Sequence, residues 1–170
     1  MYTLREEESP EKVGSTSHVR RKIILLDSSI LMYAVKGKKR LPVNIEEALR
    51  DVSEGSELAI LSSTVKELET LKKRAKGKTR IAADFALEFI KKLKIPVIEV
   101  QNEVLEEVLK EKRRGKVRDI HDEILLRMAK KLGAAVATID FELVKKLRKR
   151  NITCYYLSGR NWVTISGYLD

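Results

Sequence analysis

Residues 22–34 read KIILLDSSILMYA. Lys22–Leu26 (KIILL) is a near-continuous apolar run, the pattern of a strand buried on both faces of a parallel sheet. The run stops at Asp27-Ser28-Ser29. Ile30-Leu31-Met32-Tyr33-Ala34 then resumes an apolar face, so the segment predicts strand, turn and helix, with Ser or Asp available as the helix cap.

The same alternation repeats outward from this stretch. Leu58–Leu61, Pro96–Val100, Ala134–Thr138 and Ile152–Leu157 are the second to fifth strands, and a terminal strand can form around Trp162 to Ile165. Between them fall helices over Val43–Val52 with Asn44 as cap, Val65–Arg74 behind Ser62-Ser63-Thr64, and Ile81–Leu93. A further apolar helical face carries Val104, Leu105, Val108 and Leu109, followed by helices over Ile120–Leu132, with Gly133 as C-cap, and Phe141–Arg150. Lys36–Leu41 reads as a basic loop, and Lys76–Arg80 as a loop or helix break. Strands alternating with helices predict an α/β fold: a central parallel sheet of about five strands with helices on both faces. Its crossovers are right-handed, and ligands bind at the carboxyl ends of the strands.

A chain of 170 residues suits one domain, expected over 22–170. Residues 1–21 carry four Glu and a Gly-Ser-Thr-Ser run without apolar period, and predict a polar, disordered tail. No apolar run approaches the roughly 20 residues of a membrane span, and the N-terminus lacks a signal-type apolar stretch. The protein is therefore expected to be cytoplasmic and not membrane-bound. The lone Cys154 cannot form an internal disulfide, and its setting NITCYYL predicts buried packing. The net charge of +10 favours a polyanionic partner, most simply nucleic acid; the competing explanation is a solvated, lysine-rich surface.

Four acids fall at element ends. Asp27 ends the first strand and Asp140 follows the fourth, so topology sets both near the carboxyl edge. Glu67 lies in the first turn of the helix after the second strand, and Asp122 in the first turn of the helix before the fourth. Each alone has a structural explanation: Asp27 as turn or cap, Glu67 in a capping box with Thr64, Asp119 as a cap partnered by Asp122, Asp140 as cap of the helix beginning at Phe141. Together they say more. Two like charges ~4 Å apart interact by about 4 kcal/mol at an effective dielectric near 20, so clustered carboxylates call for a cation or a proton. Oxygen-only donors suit Mg²⁺ or Mn²⁺. Asp119 and Glu123 compete with Asp122 for the third place.

At these residues the sequence resembles the PIN-domain nucleases. Ile24-Leu25-Leu26-Asp27-Ser28-Ser29 resembles the family's opening strand, and Val65-Lys66-Glu67-Leu68-Glu69-Thr70-Leu71 its Glu-Leu segment. His121-Asp122-Glu123-Ile124 resembles the segment with the third acid, and Ala137-Thr138-Ile139-Asp140-Phe141-Glu142-Leu143 the closing Thr-x-Asp-x-x-Leu. The resemblance covers roughly Lys22 to Gly159. It implies a three-layer sandwich and a Mg²⁺- or Mn²⁺-dependent endoribonuclease with Asp27, Glu67, Asp122 and Asp140 as catalytic metal ligands. It also implies that Ser29 and Thr138 orient ligands or water, and, since dimerisation is frequent in the family, a homodimer as one possible assembly. His121 stands where the family more often has a small residue, and Ile139 where many members have Asn. Lys76-Gly77-Lys78-Thr79-Arg80 followed by Ile81-Ala82-Ala83 looks most like the ribosomal-RNA-processing branch, which would bring ribosome-biogenesis factors as partners.

Three basic clusters surround these segments. Lys72, Lys73, Arg74, Lys76, Lys78 and Arg80 form the first; Lys110, Lys112, Arg113, Arg114, Lys116 and Arg118 the second. Both are candidates for RNA phosphate contacts, chiefly through Lys73, Arg74, Lys76, Lys78, Arg80, Arg113, Arg114, Lys116 and Arg118. The third, Lys145, Lys146, Arg148, Lys149 and Arg150, reads as a solvated helix face. Two other readings stand beside the processing nuclease: a toxin ribonuclease with a small antitoxin partner, and a non-catalytic RNA-binding protein that keeps the fold. A nucleotide-binding fold is disfavoured, since no glycine-rich phosphate loop follows Asp27.

Overall fold

The computed structural model describes residues 22–36, 54–158 and 161–165. The expected N-terminal tail and the helix expected over Val43–Val52 lie outside the described residues. The elements are β1 (Lys22–Leu26), α1 (Ser28–Lys36), β2 (Ser56–Leu61), α2 (Ser62–Arg74), α3 (Gly77–Leu93), β3 (Val97–Ile98), α4 (Asn102–Arg113), α5 (Ile120–Leu132), β4 (Ala135–Thr138), α6 (Phe141–Lys149), β5 (Cys154–Ser158) and β6 (Asn161–Ile165).

The strands form one sheet in the order β3-β2-β1-β4-β5-β6. The first five run parallel, and β6 returns antiparallel beside β5. Only two residues separate β5 from β6, too few for the crossover a parallel pair requires. Strand residues alternate between two buried layers. Ile24, Leu26, Ile60, Ala135, Ala137 and Leu157 meet α1, α2 and α3 on one face. Leu25, Ala59, Leu61, Val136 and Cys154 meet α4, α5 and α6 on the other. Both faces are dry, and this is why the strands read as unbroken apolar runs. Full burial of one Leu or Ile is worth about 1.5–3 kcal/mol, so β1 alone is a major anchor. Ala82, Ala83 and Ala86 are fully buried and let α3 pack close against its neighbours.

Three boundaries differ from expectation. Helix α2 starts at Ser62 rather than Val65, which moves Glu67 into its second turn. Helix α3 starts at Gly77, so the break is confined to Ala75-Lys76 and Lys78 and Arg80 are helical; Gly77, at φ +62°, makes the bend that most residues resist. Strand β3 is only two residues long, because the Val100 N–H turns away to donate to Ser62 Oγ at 3.0 Å.

The topology fixes where a ligand can sit. From β1 the chain moves outward through β2 and β3, then returns to the opposite side of β1 as β4. The crevice between the carboxyl ends of β1 and β4 is the switch point of the sheet. No helix among the described residues is long and apolar enough to cross a membrane.

Candidate active site

Asp27 closes β1 at that switch point. Its backbone N–H continues the ladder to Ala137 O at 3.0 Å, and only 9% of the residue is exposed. One carboxylate oxygen, Oδ2, accepts from Ser29 Oγ at 2.6 Å and from Thr138 Oγ1 at 2.7 Å. Ser29 and Thr138 lie 3.1 Å apart, but each has one proton and spends it on Asp27. The same hydroxyls accept from the loop after β4: Ile139 N–H reaches Ser29 Oγ at 3.2 Å and Asp140 N–H reaches Thr138 Oγ1 at 3.0 Å. Two hydroxyls thus tie the ends of β1 and β4 into one unit.

Asp140 caps α6, its Oδ1 accepting from the N–H groups of Glu142 at 2.9 Å and Leu143 at 3.4 Å. Its Oδ2 has no donor among the described residues. Glu67 is half-buried on α2. It does not complete a capping box: Leu61 is the N-cap residue and contributes no side-chain bond, and Thr64 is buried. The Ser28 hydroxyl and the His121 ring face Glu67 instead. Asp119 is the N-cap of α5 and accepts from Asp122 N–H at 3.1 Å, which holds Asp122 in the first turn.

The charges of these acids are felt across the site. Burial raises the Asp27 carboxyl above its ordinary pKa and the Asp140 charge adds to this, against the lowering by Ser29 and Thr138. Burial likewise raises Glu67, with His121 opposing and Asp27 and Asp119 adding. Burial and then Asp119 raise Asp122, with Lys146 opposing and Asp27 again adding. Asp27 is therefore the common neighbour of Glu67, Asp122 and Asp140. Cys154 lies buried in the same region, its thiol pushed up to about 12 by burial first and by Asp27 second, and it packs as an inert core residue.

Two candidates for the third place are otherwise engaged. Asp119 spends an oxygen on its cap. Glu123 pairs with Arg150 at 2.9 Å and Arg127 at 3.0 Å; despite the cost of burial, the two guanidinium groups hold it below the usual carboxylate range.

The oxygen-only donor set fits a hard divalent cation, and the upward shifts, caused first by burial and then by neighbouring carboxylates, show that ionising these acids is costly where they sit. Yet no three His, Cys, Asp or Glu side chains among the described residues close into a ready-made cage.

Four residues at the site were given no site role from sequence. Lys146 Nζ sits 3.1 Å from Asp122 Oδ2, so at this position the solvated-face reading of the third basic cluster does not hold. His121 has a buried Nδ1 without a hydrogen-bond partner among the described residues. Ser28 lies near Glu67 and lowers its pKa, and Phe141 exposes its ring directly after Asp140. Only His121 carried a signal, its place beside Asp122; the others depend on contacts between separate elements.

The basic clusters separate. Lys131 Nζ reaches Gln101 at 2.6 Å, and Arg127 reaches Glu107 and Glu111, so α4 and α5 run antiparallel. The end of α4 with Arg113 and Arg114, and the loop with Lys116 and Arg118, therefore stand at the Asp119–Asp122 end of α5. The first cluster lies along α2 and α3. Lys73 is six residues beyond Glu67, about 9 Å along the helix. Lys72, Lys73 and Arg80 line a cavity of about 520 Å³ together with Glu69, Asp84 and Glu88, and none of the four site acids borders it.

A protein-family model described as a PIN like domain matches residues 24–160. Ribonuclease VapC9 of Archaeoglobus fulgidus is 28% identical over 144 residues, spanning 85% of this chain and 87% of that protein. Among solved structures, a chain of VapBC2 from Rickettsia felis, crystallised with a DNA fragment from the promoter, aligns with a TM-score of 0.58 at 17% identity, over 80% of this chain and 99% of that one. VapC20 of Mycobacterium tuberculosis, described as a toxin cleaving the sarcin-ricin loop, aligns with a TM-score of 0.51 at 16% identity, over 72% of this chain and 94% of that one. At such identities the structural likeness is one of fold. The family model spans most of the chain and both ends of the acid cluster, and on that ground this protein belongs to the PIN-like domain family.

Proposed function

We propose that this chain is a metal-dependent endoribonuclease of the toxin type, held in check by a small antitoxin. The observation that carries the nuclease reading is the buried Asp27 at the sheet's switch point, clamped by Ser29 and by the Thr138 hydroxyl that also accepts from Asp140 N–H. The similarity to Ribonuclease VapC9 favours the toxin branch over ribosomal-RNA processing.

In this reading Asp27, Glu67, Asp122 and Asp140 hold Mg²⁺ or Mn²⁺. Such an ion, when bound, polarises the scissile phosphoryl group and lowers the pKa of an attacking water. Ser29 and Thr138 fix the Asp27 carboxylate, so that it is presented in one orientation. Asp119 caps α5 and keeps Asp122 in the first turn. Glu123 drops out of the ligand set. Arg113, Arg114, Lys116 and Arg118 hold the RNA backbone near the cut, and Lys73, Arg74, Lys76, Lys78 and Arg80 can engage it farther away.

The deciding experiment is cleavage of a structured RNA in Mn²⁺ by the wild-type chain and by Asp27→Asn. The substitution is expected to lower the rate by about a hundredfold or more while leaving the circular-dichroism spectrum unchanged. Activity that persists in excess EDTA would reject the metal mechanism. Binding without cleavage under every metal would favour the non-catalytic RNA-binding reading.

A further inference from the structure

Phe141 is 48% exposed, although it follows Asp140 directly and opens α6. Its ring meets Tyr156 with centroids 5.6 Å apart and planes tilted by 58°. Tyr156 is the register partner of Thr138, whose hydroxyl holds Asp27. The aromatic pair therefore sits at the carboxyl end of β4, directly after Asp140. Lys145 Nζ lies 5.4 Å from the Phe141 ring centroid, and the next residue, Lys146, reaches Asp122.

We propose that Phe141 is a stacking platform for an unpaired base of the RNA, next to the phosphate that is cut; this rests on the nuclease reading above. The packing of α6 does not need this ring, since Leu143, Val144 and Leu147 already fill the sheet face and are fully buried. The Tyr156 ring braces Phe141 in a tilted contact and limits its rotation. A nucleobase offers a flat π-face to such a platform whatever its identity. An exposed cation–π contact is weaker than a stacked base, so the base displaces the Lys145 ammonium, which is then left beside the adjoining phosphate. A base inside a duplex is unavailable for this contact, and the platform therefore selects single-stranded loops or bulges.

The test is binding of a labelled single-stranded RNA oligonucleotide, and of the same sequence as a duplex, to the full chain in EDTA. Wild type, Phe141→Ala, Phe141→Leu and Phe141→Trp are compared, each checked for an unchanged melting temperature. Phe141→Ala is expected to weaken single-strand binding about five- to a hundredfold and leave duplex binding unchanged. Phe141→Trp restores single-strand binding; Phe141→Leu, apolar but without a π-face, does not. Equal single-strand affinity of wild type and Phe141→Ala, equal losses on single strand and duplex, rescue by leucine, or no single-strand binding by wild type would each overturn the platform. Because metal is absent, the result is independent of cleavage. A selective loss in Phe141→Ala, alongside a chain that cuts no RNA in Mn²⁺, would retain the platform and reject the nuclease.

Discussion

Asp27 takes both of its hydroxyl donors on one oxygen. An asparagine placed with Oδ1 at that point keeps both bonds and loses only the charge. The pH dependence follows from the raised pKa. The native chain binds the Asp27 proton more tightly than the unfolded chain, so this stability is present below the ordinary value of 3.8 and is lost as pH rises through the native value. In EDTA, Asp27→Asn is therefore expected to melt above wild type at pH 7, with the gap closing below pH 3.8. An unchanged or lower melting temperature at pH 7 would refute a charge-strained site. Lys146 makes a second prediction. It occupies an oxygen of Asp122 with a partly exposed ion pair, worth roughly 0.2–1 kcal/mol. Lys146→Met should tighten Mn²⁺ binding by up to about fivefold in calorimetry; weaker binding would show that the lysine supports the ion rather than competing with it. The positions of Asp27 and Asp140 at the sheet edge were legible from strand ends alone. The Thr64–Glu67 capping box was not a sound reading, because α2 starts three residues early and Thr64 turns into the core. Lys146 left no trace in sequence, since its partner lies 24 residues away on another helix.

The pair α4–α5 sets the distance between the acids and the second basic cluster. Arg127 joins the helices, with Glu107, Glu111 and Glu123 around one guanidinium. Removing the cation leaves Glu107 and Glu111 without this partner and Glu123 with Arg150 alone. Arg127→Met is expected to cost about 1–3 kcal/mol at low salt, read as a lower denaturant midpoint, with a smaller loss in 1 M NaCl. A loss that does not shrink with salt would point to packing instead. Elements were legible where burial dominates: β1, β2, β4 and β5 appear as apolar runs and α5 as a periodic face ending at Gly133. They were less legible where a neighbour decides. PVIEV reads as five strand residues, yet β3 pairs only through Val97 and Ile98, as Ser62 draws Val100 out of line. KGKTR reads as a loop, yet α3 accepts it from Gly77 onward.

Across the molecule, positive charge exceeds negative by ten, and the second cluster stands at the acid end of α5. Replacing Arg113, Arg114, Lys116 and Arg118 together by Gln should flatten the log–log dependence of single-strand RNA affinity on salt by up to about 3. An unchanged slope would return those residues to a merely solvated surface. The strand order was legible only as a class, because nothing in an apolar run says which neighbour it will choose. That order has a consequence in time. Thr138 lies 111 residues beyond Asp27, and β4, which carries it, joins the sheet beside β1. A chain still emerging from the ribosome displays β1, β2 and Glu67 long before Thr138 and Asp140 exist. The carboxylate at the centre of the site has no Thr138 hydroxyl and no Asp140 beside it until β4 has been made. A product truncated before β4 thus carries β1 without the strand that seats beside it at the switch point, and its Asp27 lacks the Thr138 half of its clamp.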